Sequence, residues 1–221
     1  MRPAIFIFGL LLITAQIAPR TSTAAPLQSP RVVDRIVARV EDDIILQSQV
    51  RELAAFQMLV EGRAESDDKL LQELIEQWIV ETEATESHFP QPAQSEVDRE
   101  LSRLQNQFGS PEKYAARLRD LGLSPEEVRS LLSQQIYVVR YVDYKFRPTV
   151  QVESADVDTY YKNELTPELR RNNQPVPDRA SVDKQIREVL TQRGISSLTA
   201  KWLDDTKSRL KIEIEPSSDK P

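Results

Sequence analysis

The chain has no cysteine, one histidine and five glycines in 221 residues. Without cysteine it forms no disulfide and has no thiolate for redox chemistry or zinc binding. The few glycines form neither a phosphate-binding loop nor the Gly-x-Ser-x-Gly turn of serine hydrolases. These absences argue against ATP-driven work, and we predict a protein that is not an enzyme and has no cofactor.

Isolated polar residues offer no alternative site. His88 lies at the end of a predicted helix, where an unaccompanied imidazole is interpreted as a residue that faces the helix dipole. Acidic pairs begin at Asp42, Asp67 and Asp204, but none has the spacing of a calcium loop. We therefore predict no catalytic residue and no metal ligand.

The N-terminus predicts export. Arg2 precedes an apolar run over residues 4–17 and small residues at 21–25, the pattern of a secretory signal peptide (residues 1–25) cleaved after Ala25. The run is shorter than the roughly 20 residues of a membrane span. An uncleaved anchor remains the alternative, and only that form would contact a membrane. Cleavage would remove Arg2 and Arg20 and change the net charge from −6 to −8, which disfavours a nucleic-acid partner.

The pattern of apolar residues predicts a mainly α fold with a small β element. Alternation over residues 33–46, interrupted at 41–43, predicts a β-hairpin, and alternation over 211–215 predicts a terminal strand that pairs with it. Helical spacing fills the sequence between them. Helices are predicted over about 49–60, 67–87, 95–108, 111–121, 125–146, 155–164, 182–190 and 196–210.

Local signals predict where these helices begin and end. Ser110 and Ser124 each precede Pro and Glu, a strong N-terminal signal, and Ser48 is predicted to cap the first helix. Gly194 is predicted to interrupt the last helical region.

Two groups of large apolar side chains are candidates for binding other polypeptides. One group lies near the end of the first helix, and its Met and Phe adapt to varied apolar partners. The other is a row of tyrosines with i, i+4, i+7 spacing on the fifth helix. Burial in the core is the alternative for both groups. The candidates are Phe56, Met58, Leu59, Tyr137, Tyr141 and Tyr144.

Several segments, in their order along the chain, carry a resemblance to a known family. They are Val-Val-Asp-Arg-Ile-Val-Ala-Arg-Val (32–40), Ile-Ile-Leu-Gln-Ser-Gln-Val (44–50), the Arg-Pro-Thr-Val-Gln-Val stretch within 146–157, Tyr-Tyr-Lys (160–162), Ile-Arg-Glu-Val-Leu (186–190), Trp-Leu (202–203) and Ile-Glu-Ile (212–214). They resemble the SurA family of periplasmic chaperones. The resemblance covers most of residues 32–215 and implies a helical N-terminal part at 32–164, completed by a C-terminal helix and strand at 181–215.

Two departures from that family matter. One or two parvulin-type isomerase modules normally lie between the Tyr-Tyr helix and the closing helix, whereas this chain has only residues 165–180 there, predicted to be a linker. Such an interval is far shorter than the roughly 50 residues of a folded domain, so the module is expected to be missing. The second departure is Glu-Asp-Asp at 41–43, where the family commonly has a glycine.

The resemblance implies an ATP-independent holdase in the periplasm, where it would bind unfolded exported polypeptides and serve outer membrane protein biogenesis. It would need no nucleotide. The alternative is a non-catalytic interaction or scaffold protein, which could be a homodimer. A peptidyl-prolyl isomerase is disfavoured because the interval at 165–180 is short.

Overall fold

The computed structural model describes residues 34–216, so the predicted signal peptide lies outside the described residues. The fold class is confirmed: the described chain is mainly α with a small antiparallel sheet of three strands. Its elements are β1 (Ile36–Val40), β2 (Asp43–Leu46), α1 (Gln47–Val60), α2 (Asp67–Glu86), α3 (Gln94–Asn106), α4 (Pro111–Leu121), α5 (Pro125–Phe146), α6 (Ser154–Tyr160), α7 (Thr166–Arg171), α8 (Arg179–Lys207) and β3 (Ile212–Ile214).

The sheet joins the two ends of the described chain. Strands β1 and β2 form the predicted hairpin, which turns at Glu41 and Asp42. Strand β3 lies antiparallel on the other side of β1, with Ile212 opposite Val40, and the strand order is β2-β1-β3. The Glu41 N–H donates to the carbonyl of Lys211 at 2.9 Å. The predicted pairing of the terminal strand with the hairpin is therefore confirmed.

The Ser-Pro-Glu signals start helices where they were predicted. Ser110 Oγ accepts a hydrogen bond from the Lys113 N–H at 3.3 Å at the start of α4. At the start of α5, Ser124 Oγ accepts from the Glu127 N–H at 3.1 Å. The Glu127 carboxylate in turn accepts from the Ser124 N–H at 2.6 Å. Each serine thus satisfies a backbone donor that the first helical turn leaves free.

The predicted cap at Ser48 is wrong, because β2 runs directly into α1 and the helix begins at Gln47. The hydroxyl of Ser48 instead donates to the carboxylate of Asp34. The Gln49 side chain accepts from the Leu46 N–H at 2.8 Å, which satisfies the backbone donor before the helix. A contact with a residue 14 positions earlier decided the role of Ser48.

The predicted interruption at Gly194 is also wrong, because α8 is continuous from Arg179 to Lys207. A Cβ at position 194 would lie 2.6 Å from Cγ1 of Val150. Glycine therefore lets the segment after α5 approach the middle of the helix closely.

The interval at 165–180 is more ordered than a plain linker. Helix α6 continues through a π-helical turn, Tyr161–Leu165, into α7, and α8 begins at Arg179. Residues 172–178 connect α7 to α8 without regular structure. That this interval stands in place of an isomerase module remains a prediction.

Two apolar clusters form the core, and α1 and α5 contribute to both. The first lies under the sheet and contains Val37, Ala38, Val40, Ile45, Val50, Leu53, Leu70, Leu71, Ile75, Ile79, Val80, Ala84, Tyr137, Tyr141 and Leu203. The second lies among α1, α3, α4 and α5 and contains Phe56, Leu59, Val97, Leu104, Tyr114, Leu118, Leu123, Val128 and Leu132. Helix α5 is thereby fixed along most of its length.

Candidate functional site

An open groove follows one side of α5. Its middle section lies between α1, α2, α5 and α8 and has a volume of about 290 Å³. We call the whole cleft the α5 groove. The apolar side chains that line the middle section are Leu53, Phe56, Val60, Val80, Leu131, Val138, Val139, Val142 and Leu203.

The groove exists because α5 carries more apolar surface than its neighbours cover. Tyr137 and Tyr141 face the core, while Val139 is 61% exposed. Val60, at the end of α1, is 37% exposed and lies along the same section. A helix that is apolar on nearly all sides is normally buried on all sides. The uncovered valines therefore mark a surface available to a partner.

Val139 connects the sections of the groove. It lines the middle section, a section between α5 and α8 of about 1410 Å³, and a third section beside α3. The α8 wall is built partly from short side chains, among them Ser196, Thr199 and Ala200. Such residues keep the wall low and the cleft open along α5.

The middle section is acidic as well as apolar. Its lining includes Glu61, Glu73 and Glu76, and none of the described residues that line it is lysine or arginine. Gln57 Nε2 donates to Glu73 at 2.8 Å. Burial raises the pKa of Glu73, and the nearby charges of Glu61 and Glu76 raise it further. The shifted pKa reports a region where negative charge is unfavourable without a cation.

The candidates on the fifth helix divide between core and groove. The hydroxyl of Tyr137 donates to the carbonyl of Phe89 at 3.3 Å, and Tyr141 donates to Glu83 at 3.0 Å. Both tyrosines are buried, so in this conformation they hold the end of α2 against α5. Tyr144 is 65% exposed and lines the α8 section.

The candidates on the first helix also differ in burial and in their contact with the groove. Phe56 is buried in the second core cluster and forms part of the floor of the middle section. Leu59 is buried, and Met58 is half-buried. The structure thus places Phe56 and Tyr144 along the α5 groove in different sections. A role of the six residues in binding remains a prediction.

The valines that dominate the groove are not among the candidates predicted from the sequence: Val60, Val138, Val139 and Val142. A signal for the three on α5 was present, since that half of the helix is apolar nearly all round. The tyrosines are the stronger candidates in the sequence, because an aromatic side chain buries more area than a valine does.

Within residues 34–216 no group of three or more His, Asp or Glu side chains could hold a metal ion. Across the same described residues, no helix is both long and apolar enough to span a bilayer.

The comparisons with known proteins give a distant similarity. No family model matches the chain. The chain is 29% identical over 153 residues to Chaperone SurA of Ralstonia nicotianae (strain ATCC BAA-1114 / GMI1000). The chain is SurA-like at a distance. The match covers 64% of this chain but only 30% of that relative, so most of the relative has no counterpart in the match.

Proposed function

We propose that the protein is an ATP-independent chaperone that holds unfolded polypeptide segments in the α5 groove. The observation that carries this proposal is an open apolar groove with Val139 61% exposed at its centre. Covering apolar client surface contributes roughly 25 cal/mol per Å², so holding a client requires no reactive residue. The distant similarity to a chaperone supports the same function.

The proposed place of action is the periplasm, and the proposed clients are exported proteins, including those of the outer membrane. The signal-peptide pattern at residues 1–25 and the SurA-like segments support this location. We further propose that the chain carries no isomerase module between α6 and α8 and is not an enzyme. The short connection of residues 161–178 supports that view.

Suppression of aggregation tests the proposal directly. The purified protein is mixed at stoichiometric amounts with a urea-unfolded outer-membrane protein, and light scattering follows the dilution from urea. We expect the wild-type protein to suppress scattering and Val139→Asp to lose most of that effect, because a carboxylate at the centre of the groove opposes apolar contact. Circular dichroism checks that the exposed substitution leaves the fold intact.

Val176→Asp is the matched control. Val176 is 36% exposed and lies in the connection before α8, away from the groove. The Val176→Asp variant should suppress aggregation to the same extent as the wild type. Equal suppression by all three proteins would place binding outside the groove. No suppression, together with capture of one stable partner, would favour the scaffold alternative, and turnover in a prolyl-isomerase assay would show that the protein is an enzyme.

A further inference from the structure

We propose that the middle section of the α5 groove selects apolar segments that carry a lysine or arginine beside the apolar residues. This inference rests on the proposed chaperone function and specifies its preferred client. The inference is based on the lining of this section, which combines nine apolar side chains with three glutamates.

The three glutamates lie on or directly after two of the helices that line the section. Glu61 follows the end of α1, while Glu73 and Glu76 lie on α2. Glu73 lies on α2 and accepts a hydrogen bond from Gln57, so its partly desolvated carboxylate is held at the groove and stays accessible to solvent. A client cation at this wall would contact carboxylates while its apolar neighbours cover Val60 and Val139.

The neighbouring sections do not share this charge. In the α8 section, Lys207 pairs with Glu76 at 2.9 Å, and Arg147 pairs with Asp143 at 2.8 Å. In the section beside α3, Arg140 pairs with Glu96 at 3.1 Å. Both neighbouring sections are therefore lined by cations as well as carboxylates, and Lys201 in the α8 section and Arg99 beside α3 add further positive charge. The lining of the middle section, by contrast, includes carboxylates and, among the residues that the structure describes, no lysine or arginine. Because Glu76 is already paired with Lys207, Glu73 and Glu61 provide the charge for a client, and Glu61 has one further, long contact with Arg63 at 3.9 Å.

The net charge of the protein also bears on which partner occupies the middle section. A second copy of this chain is a poor fit, because the protein is acidic, with a net charge of −6. Two acidic surfaces repel one another, whereas a basic apolar segment is attracted. We therefore assign the middle section to basic apolar segments of client proteins.

Fluorescence anisotropy with short peptides tests the assignment. Three peptides share one apolar centre and differ only in flanking residues, which are lysine, glutamine or glutamate. The wild-type protein is expected to bind the lysine-flanked peptide roughly threefold or more tightly than the glutamate-flanked one, the range of exposed ion pairs. The preference should fall as sodium chloride increases, because salt screens such pairs.

Glu73→Gln should reduce the preference, and the Glu61→Gln, Glu73→Gln double variant should reduce it further, while binding of the glutamine-flanked peptide remains. Glu168→Gln is the control, because it makes the same charge change on an exposed residue of α7. It should keep the wild-type preference.

The outcomes separate the two proposals. Equal binding of all three peptides by the wild type would overturn the assignment and leave the chaperone proposal intact. An unchanged preference in the double variant would also overturn it, by placing the selectivity elsewhere. If no peptide binds and aggregation is not suppressed, both proposals fail together.

Discussion

Two regions of the molecule are held together in different ways. The body, residues 34–146 with 194–214, contains both apolar core clusters. The arm, residues 147–193, contributes only Val157 and Ile186 as buried apolar side chains. The same chain therefore relies on hydrophobic packing in one region and on other contacts in the next.

Several arginine ion pairs connect the segments of the arm. Arg147 donates through both terminal nitrogens to Glu188, at 3.0 and 2.9 Å, and so connects the end of α5 to α8. Arg179 joins Asp158 of α6 to α8 at 2.6 Å, and it contacts Asp183 at 2.7 Å. These side chains are substantially exposed. Exposed pairs stabilise weakly and are screened by salt.

We therefore expect the arm to open more readily than the body. Regions with few buried apolar contacts and many exposed polar ones have the lowest local stability. The valines of the α5 groove belong to the body, so the proposed binding surface lies on the region that is expected to be the more stable.

The largest expected effect compares one buried residue from each region. Leu70→Ala in the body should lower the free energy of unfolding by about 2–5 kcal/mol, because Leu70 has no exposed surface and its loss leaves a cavity. Ile186→Ala in the arm should cost less, because the surrounding segments can close around the space. Urea denaturation measures both. An equal or larger cost for Ile186→Ala would contradict the distinction between body and arm.

A smaller effect is expected where arm and body meet at Gly194. Gly194→Ala alone should lower stability, because the new methyl would lie 2.6 Å from Val150 Cγ1. In a Val150→Ala background the same change should raise stability by up to about 1 kcal/mol, the helix preference of alanine over glycine. Thermal unfolding of the wild type, the two single variants and the double variant gives the coupling free energy between positions 194 and 150. The same sign in both backgrounds would show that Val150 does not require the glycine.

The smallest expected effect is a response to acid that differs in sign between the regions. Hydrogen bonds from Arg147 lower the pKa of Glu188 to about 2. This pair therefore stabilises the arm above the ordinary carboxyl pKa, and that contribution is lost as the pH falls through about 2. Burial raises the pKa of Glu73 and Glu81 on α2, so protonation of these groups adds stability to the body as the pH falls through their raised values.

Pulsed hydrogen exchange, followed by mass spectrometry of peptides from each region, measures this difference. Protection should fall in α8 before it falls in α2 as the pH is lowered. Arg147→Met, which removes the pairing with Glu188, should remove much of the pH dependence of the arm. Parallel loss of protection in α2 and α8 would contradict the proposed origin of the difference.

Much of the fold was predictable because its signals are local. The Ser-Pro-Glu sequences before α4 and α5 satisfy backbone groups only a few residues away. The roles of Ser48 and Gly194 were not predictable in this way. Ser48 is bound by Asp34 and Gly194 is contacted by Val150, and neither partner is indicated by the residues around them.

Local patterns of residues are sufficient to predict the elements of this protein: a hairpin, a series of helices with their main boundaries, and a fifth helix with more apolar surface than one face needs. Tertiary structure alone decided which part of that surface stays uncovered. Tyr137 and Tyr141 lie in the core, whereas Val139 lines the groove. This difference arises because the positions of α1, α2 and α8 around α5 depend on contacts between distant residues. Periodicity within one helix carries no information about those contacts.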